Sequence, residues 1–170
     1  MLQKYGYNLF NMIASLQNVY VQVIDKHESY INLKCNFSYK NSNTNFDNNQ
    51  SKHNLYCFIG FDSLIQFAEF NKITIEKLLE SLTRLKNSSI LIMDSVQQVK
   101  SNEYNDWYKQ YAVNTDGLWL GSGITEQFVL RYNQSGTRLD NNCDMNFGYV
   151  IKNGNAKLIK LLEMSVEDEQ

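Results

Sequence analysis

"QKYGYNLFNMIASL" (Gln3–Leu16), followed after a two-residue break by "VYVQVID" (Val19–Asp25), decides how the rest of the chain reads. Leu9, Met12, Ile13 and Leu16 recur at i, i+3, i+4 and i+7, one face of a helix over Tyr7–Leu16. Val19–Asp25 is a short, β-branched apolar run, the pattern of a strand buried on both faces. Gly6 stands just ahead of that helix, where a glycine turn and a helix N-terminus could together cradle a phosphate. A working phosphate loop places a Lys and then a Ser or Thr after its last glycine. Here Tyr7 and Asn8 occupy those places and Lys4 lies on the wrong side, so Gly6, Tyr7 and Asn8 read as a degenerate nucleotide loop in which Asn8 can cap the helix.

Further strands and helices alternate along the chain. "LYCFIGF" (Leu55–Phe61) and "SSILIMD" (Ser88–Asp94) read as buried strands. Between them, "DSLIQFAEF" starts a short helix with Asp62 as N-cap. "TIEKLLESLTRLK" puts Ile75, Leu78, Leu79, Leu82 and Leu85 on one face, with Thr74 as cap and Arg84 and Lys86 at its end. "SNEYNDWYKQYAV" is a further helix capped by Ser101 or Asn102. The pattern then changes to short strands, "GLWLGSG", "QFVLRYN", "FGYVIKNG" and "AKLIKLLE", with Lys152–Lys157 as a hairpin connection. This order implies crossover units on a mostly parallel sheet, a three-layer α/β domain, with the late strands extending one edge. The chain begins with a helix where a strand is expected, so the first strand is missing. "HESYINLKCNFSY" is ambiguous, and Lys40–Asn54 is a polar, Asn-rich surface loop expected to be mobile. Residues 1–164 read as one domain and 165–170 as an acidic tail.

Bulk properties narrow the function. The 170 residues, 43% hydrophobic and 13% aromatic, suffice for one sizeable core. A net charge of −2 without a basic cluster argues against nucleic-acid binding. There is no apolar run of membrane-spanning length and no leader pattern, so the expectation is a soluble, intracellular domain. Cys35, Cys57 and Cys143 are scattered and His27 and His53 have no ligand spacing, which speaks for reduced structural thiols and against a zinc site. No acid–base or nucleophilic constellation is visible. Where an acidic residue should close the second strand to hold magnesium, Ile59 stands instead, and Asp62 is displaced; Asp94 and Asp25 close other strands. Gly121-Ser122-Gly123 is a lone G-x-G, read as a tight turn. Tyr104, Trp107, Tyr108 and Tyr111 form an aromatic stripe, core by default; Trp107, Tyr108 and Tyr111, with Trp119, are the candidates for a partner-binding surface.

Taken together, "QKYGYNLFNMIASL", "LYCFIGFDSL", "DGLWLGSGITEQF" and "FGYVIKNG" resemble the C-terminal, degenerate ATPase-like domain of EssC, the FtsK/SpoIIIE-type motor of type VIIb secretion. The resemblance covers nearly the whole chain. It implies a RecA-like P-loop-type domain that does not catalyse and takes part in recognising secreted cargo, including helical-hairpin proteins, beside neighbouring ATPase domains of a membrane-anchored motor. Tyr7 in the Lys place, Asn8 in the Ser/Thr place and Ile59 in the acidic place agree with a degenerate site, with no cofactor. The alternative is an ATP-binding domain, active with magnesium only in the full multi-domain protein. A third reading is a remnant without a motor.

Overall fold

The computed structural model describes residues 2–29, 37–45, 47, 49–112, 114–133, 139, 142–143 and 146–161, with the side chains of 2–5 left aside. Its frame is a four-stranded parallel sheet, in the order β2-β1-β3-β4, made of β1 (Val19–Asp25), β2 (Ser38–Lys40), β3 (His53–Ile59) and β4 (Ser88–Met93). The alternating pleat of these strands supplies two apolar faces, as expected of a strand buried on both sides. On one face Ile24, Tyr56 and Phe58 pack with Ile90 and Ile92 against α2 (Phe61–Phe70), α3 (Ile75–Arg84) and α5 (Asp106–Tyr111). On the other, Val21, Val23 and Cys57 pack with Leu91 and Met93 against Leu9 and Phe10 of α1 (Leu2–Ala14). The three-layer α/β reading therefore holds.

Several local expectations need correction. The late strands do not extend the parallel sheet. β5 (Gly117–Leu120), β6 (Phe147–Lys152) and β7 (Asn155–Lys160) form their own antiparallel sheet, whose Leu118, Leu120 and Ile159 join the α1 face of the main core. A second, small core of Ile124, Tyr149 and Ile151 lies within this unit. "QFVLRYN" is not a strand: a single 3₁₀ turn, Ile124–Glu126, precedes it, and Gln127 ties the segment by accepting from Val129 and Leu130 N–H. The Gln127 amide thus satisfies the backbone locally and competes with a ladder. Residues 96–111 form two helices, α4 (Val96–Asn102) and α5, and the caps are Ser95 and Asn105 rather than Ser101 or Asn102. The Lys152–Lys157 hairpin is present, with Asn153 (φ 49°) and Gly154 (φ 74°) both left-handed, as a two-residue hairpin turn demands.

Lys40–Asn54 is tied down at several points. Gln22, fully buried in β1, donates from Nε2 to Asp47 C=O (2.6 Å) and accepts from Asp47 N–H (3.0 Å). Ser42 is buried against Gln66 of α2, and Lys40 pairs with Asp47 at 2.8 Å. The acidic tail at 165–170 and Cys35 lie outside the described residues.

Candidate functional site

In an open parallel sheet, ligands sit outside the carboxyl ends of the strands, where neighbouring connections run in opposite directions. β1 leads outward to β2 and β3 leads outward to β4, so that point is the crevice between β1 and β3. Their last residues, Asp25 and Ile59, lie side by side in register, and Met93 of β4 lies beside Ile59.

The crevice is crossed by the chain's own groups. Ser63, fully buried, accepts from Lys26 N–H (2.9 Å) and donates to Ile59 C=O (2.5 Å). Asp62 meets His27 Nε2 at 2.5 Å and Lys26 Nζ at 3.9 Å, on the exposed rim. Asp25, fully buried, accepts from His27 N–H (3.0 Å) and Ser29 N–H (2.7 Å) and so fixes the loop that carries His27. At β4, Asp94 accepts from Phe61 N–H (2.8 Å) and Ser95 N–H (2.7 Å), holding the start of α2 against the strand end. Each of these three carboxylates is engaged with backbone N–H groups, or with His27 and Lys26 across the crevice.

The sequence-derived site residues fall as follows. Gly6 does not form a turn before the helix. It lies inside α1, which starts by Leu2, so Gly6, Tyr7 and Asn8 are helical and the groups from the second turn onward bond within the helix. Asn8 does not cap: it is buried, while Asn11 Nδ2 donates back to Tyr7 C=O at 3.1 Å. The helix extends further back than Tyr7 because Leu2, Gln3, Lys4 and Tyr5 tolerate it, and a single glycine costs only about 1 kcal/mol in a helix interior. Ile59 does end β3, as read. Asp62 is not the N-cap of α2. Gly60 is, at φ 83° and ψ 153°, a backbone conformation essentially restricted to glycine, and Asp62 is the second helical residue. The Gly60 geometry is what turns β3 into α2 across the crevice. Gly121 and Gly123 are left-handed and make the tight turn after β5.

The aromatic candidates sit together elsewhere. Trp107 and Tyr108 are buried against Phe61, with ring centroids 5.6 and 6.0 Å away, and Tyr104 is exposed in the break between α4 and α5. Burial, followed by the charge of Glu103, raises the Tyr108 hydroxyl above its ordinary pKa. Trp107, Tyr108, Tyr111 and Trp119 nevertheless all line one groove of about 640 Å³ that runs along β4 toward β5. Its size is that of a ligand or peptide site. Sequence could name these rings but not that a groove along β4 brings them together.

Among the described residues, no group of three His, Cys, Asp or Glu could hold a metal ion, and no helix is long and apolar enough to cross a membrane. Cys57 is fully buried in β3, and desolvation pushes its thiol far up.

No protein-family model matches the sequence, and no curated protein matches it. Solved structures do share the fold. ATPases 2 and 3 of Thermomonospora curvata EccC, in complex with a signal sequence peptide, align over 96% of this chain and 35% of theirs, with a TM-score of 0.55 and 12% identity. The cytoplasmic domain of EssC aligns over 94% of this chain and 37% of its own, with a TM-score of 0.60 and 11% identity. The chain thus spans little more than a third of either neighbour. With its parallel sheet, flanking helices and small antiparallel sheet, the chain shares its fold with ATPases 2 and 3 of EccC and with the cytoplasmic domain of EssC.

Proposed function

We propose that this chain is a non-catalytic, ATPase-like domain of a type VII secretion motor, and that it binds secreted polypeptides. The observation that carries the reading is the β1/β3 crevice. Where a nucleotide would lie in such a sheet, Ser63 and the Asp62–His27 pair bridge the two strand ends. The residues in the loop places, Tyr7 and Asn8, are inside a helix and offer no ammonium and no hydroxyl suited to magnesium. The donor set therefore does not fit a magnesium nucleotide. Support for the partner comes from the shared fold: the EccC structure of that architecture is in complex with a signal sequence peptide. In this reading the cargo is a secreted helical-hairpin protein or a related substrate, and neighbouring ATPase domains flank the chain in a membrane-anchored assembly with this domain on the cytoplasmic side.

The test is a pair of calorimetric titrations on the folded chain, one with ATP and magnesium, one with a secreted helical-hairpin protein. The expected outcome is no heat with nucleotide and saturable heat with the protein. Micromolar nucleotide affinity, about −8 kcal/mol, would overturn the non-catalytic reading and favour the alternative, an ATP-binding domain. Absence of binding to secreted proteins would overturn the partner.

A further inference from the structure

The β6–β7 turn carries a reactive dipeptide. Asn153-Gly154 is the one Asn-Gly pair in the sequence, and Asp116-Gly117 is the one Asp-Gly pair. An asparagine carboxamide and the next backbone nitrogen can close a five-membered ring, and a following glycine has no side chain to obstruct the closure. The fold brings these two dipeptides into contact. Asp116 Oδ1 accepts from Asn153 N–H at 2.6 Å, and Thr115 C=O accepts from Gly154 N–H at 3.0 Å. Gly154 C=O in turn accepts from Asn133 N–H at 2.7 Å, and Asn114 C=O accepts from Arg131 N–H at 2.7 Å. The turn is thus stitched to the segment before β5 and to residues 131–133.

This docking restrains the reacting pair. The nucleophile in ring closure is the Gly154 nitrogen, and Gly154 is buried with its N–H donated to Thr115. The electrophile is Cγ of Asn153, an exposed residue at φ 49°. Attack needs the nitrogen free of Thr115 and stripped of its proton, so the turn has to leave its dock first.

We propose that Asn153 is a self-modification site, converted to aspartate or isoaspartate, and that docking of the β6–β7 turn on Thr115 and Asp116 holds the reaction back. In the opened turn the Gly154 nitrogen gives its proton to solvent base and bonds to Asn153 Cγ. The Cγ–Nδ2 bond breaks and ammonia leaves with a proton, which completes a succinimide. Water then opens the ring. Addition at Cγ returns aspartate, and addition at the main-chain carbonyl gives isoaspartate, whose backbone is longer by a methylene. In both cases a ring C–N bond breaks and the Gly154 nitrogen regains its proton. Either product bears a carboxylate beside Asp116, and like charges so placed repel. The added methylene also spoils a two-residue turn between the paired Lys152 and Asn155. The modified turn therefore redocks poorly. The step runs in one direction, and it loosens the segment that carries Leu130 and Tyr132 into the small core. The reaction depends on the hairpin and not on the secretion reading.

The full chain is aged in mildly alkaline buffer, folded and in guanidinium chloride, and peptide mapping by mass spectrometry follows aspartate and isoaspartate at residue 153. In denaturant Asn153 should be the fastest-modified asparagine. In the folded chain product should accumulate at least about tenfold more slowly, because local opening limits it. Asp116→Ala removes one acceptor from the dock and should speed the folded reaction about fivefold, the worth of one hydrogen bond. Amide hydrogen exchange of the unaged wild-type chain needs no variant: the Gly154 N–H should be protected to the extent that modification is slowed. Equal rates in folded and unfolded wild type, no product at Asn153 in the folded chain, or an unprotected Gly154 N–H each overturn the proposal. So does a folded Asp116→Ala chain that reacts at the wild-type rate.

Discussion

Gly60→Ala tests the central geometry of the crevice. Gly60 sits at φ 83°, ψ 153° between β3 and α2, in a region that residues with a Cβ occupy at a cost of about 1–3 kcal/mol. A Cβ built there would also overlap Asp62 Oδ1 and come within 3.6 Å of Asp94 Oδ2. Asp62 can swing away, losing its contact with His27, but this pair is exposed and worth at most about 1 kcal/mol. The expected total is therefore about 2–4 kcal/mol. Urea unfolding followed by circular dichroism, with equal m-values for both proteins, reads it directly. The double variant Gly60→Ala/Asp62→Ala separates the two sources. Removing the carboxylate relieves the overlap and leaves the backbone conformation, so no more than about 1 kcal/mol should return. Full recovery in the double variant would refute the backbone argument, and a single variant within about 0.5 kcal/mol of wild type would refute the turn geometry itself.

Three further outcomes follow from the packing. Leu82→Ala empties a fully buried site between α3 and the sheet and should cost about 2–5 kcal/mol in the same unfolding assay. Cys57 is held neutral in the fold while the unfolded thiol ionises near its ordinary value of 9.0, so its contribution is complete below pH 9 and is lost as pH rises. The stability of wild type should fall by up to about 1.4 kcal/mol per pH unit more steeply than that of Cys57→Ala above pH 9, with Tyr56 and Tyr108, also raised by burial, steepening both curves above pH 10. Gly154→Ala forces a Cβ into the left-handed second position of the β6–β7 turn, so it should cost about 1 kcal/mol, and Asn153→Gly should be nearly neutral by comparison.

The alternation of strands and helices was legible because periodicity reports burial directly. "VYVQVID", "LYCFIGF" and "SSILIMD" are apolar on both faces of the pleat, and Ile75, Leu78, Leu79 and Leu82 line one side of α3. Caps and turns were less so. Asp62 has the residue type of a cap, but Gly60 takes that place, and the long-range carboxylate of Asp94 receives the first helical N–H. Gly6 looked like punctuation and is helix interior, a case where neighbouring helical residues outweigh one poor propensity. "QFVLRYN" has strand composition and, among the described residues, no strand to pair with. The small sheet's separation from the parallel one depends on which edge each strand finds, which no local window contains. The crevice contacts join residues 26–27 to 62–63, and the sequence gives each of these only a local meaning.

The two sheets also differ in how far apart along the chain their partners lie. In the parallel sheet Val19 pairs with His53 and Asn54 with Ser88, so each pairing must close a long loop first. In the β6–β7 hairpin Lys152 pairs with Asn155 across a turn whose residues already favour the required conformation. The hairpin can zip in microseconds, whereas the non-local parallel pairings set the overall folding rate. With no proline anywhere in the sequence, no prolyl isomerisation adds a slower step. The rate at which this chain folds is thus the rate at which β1, β3 and β4 find one another.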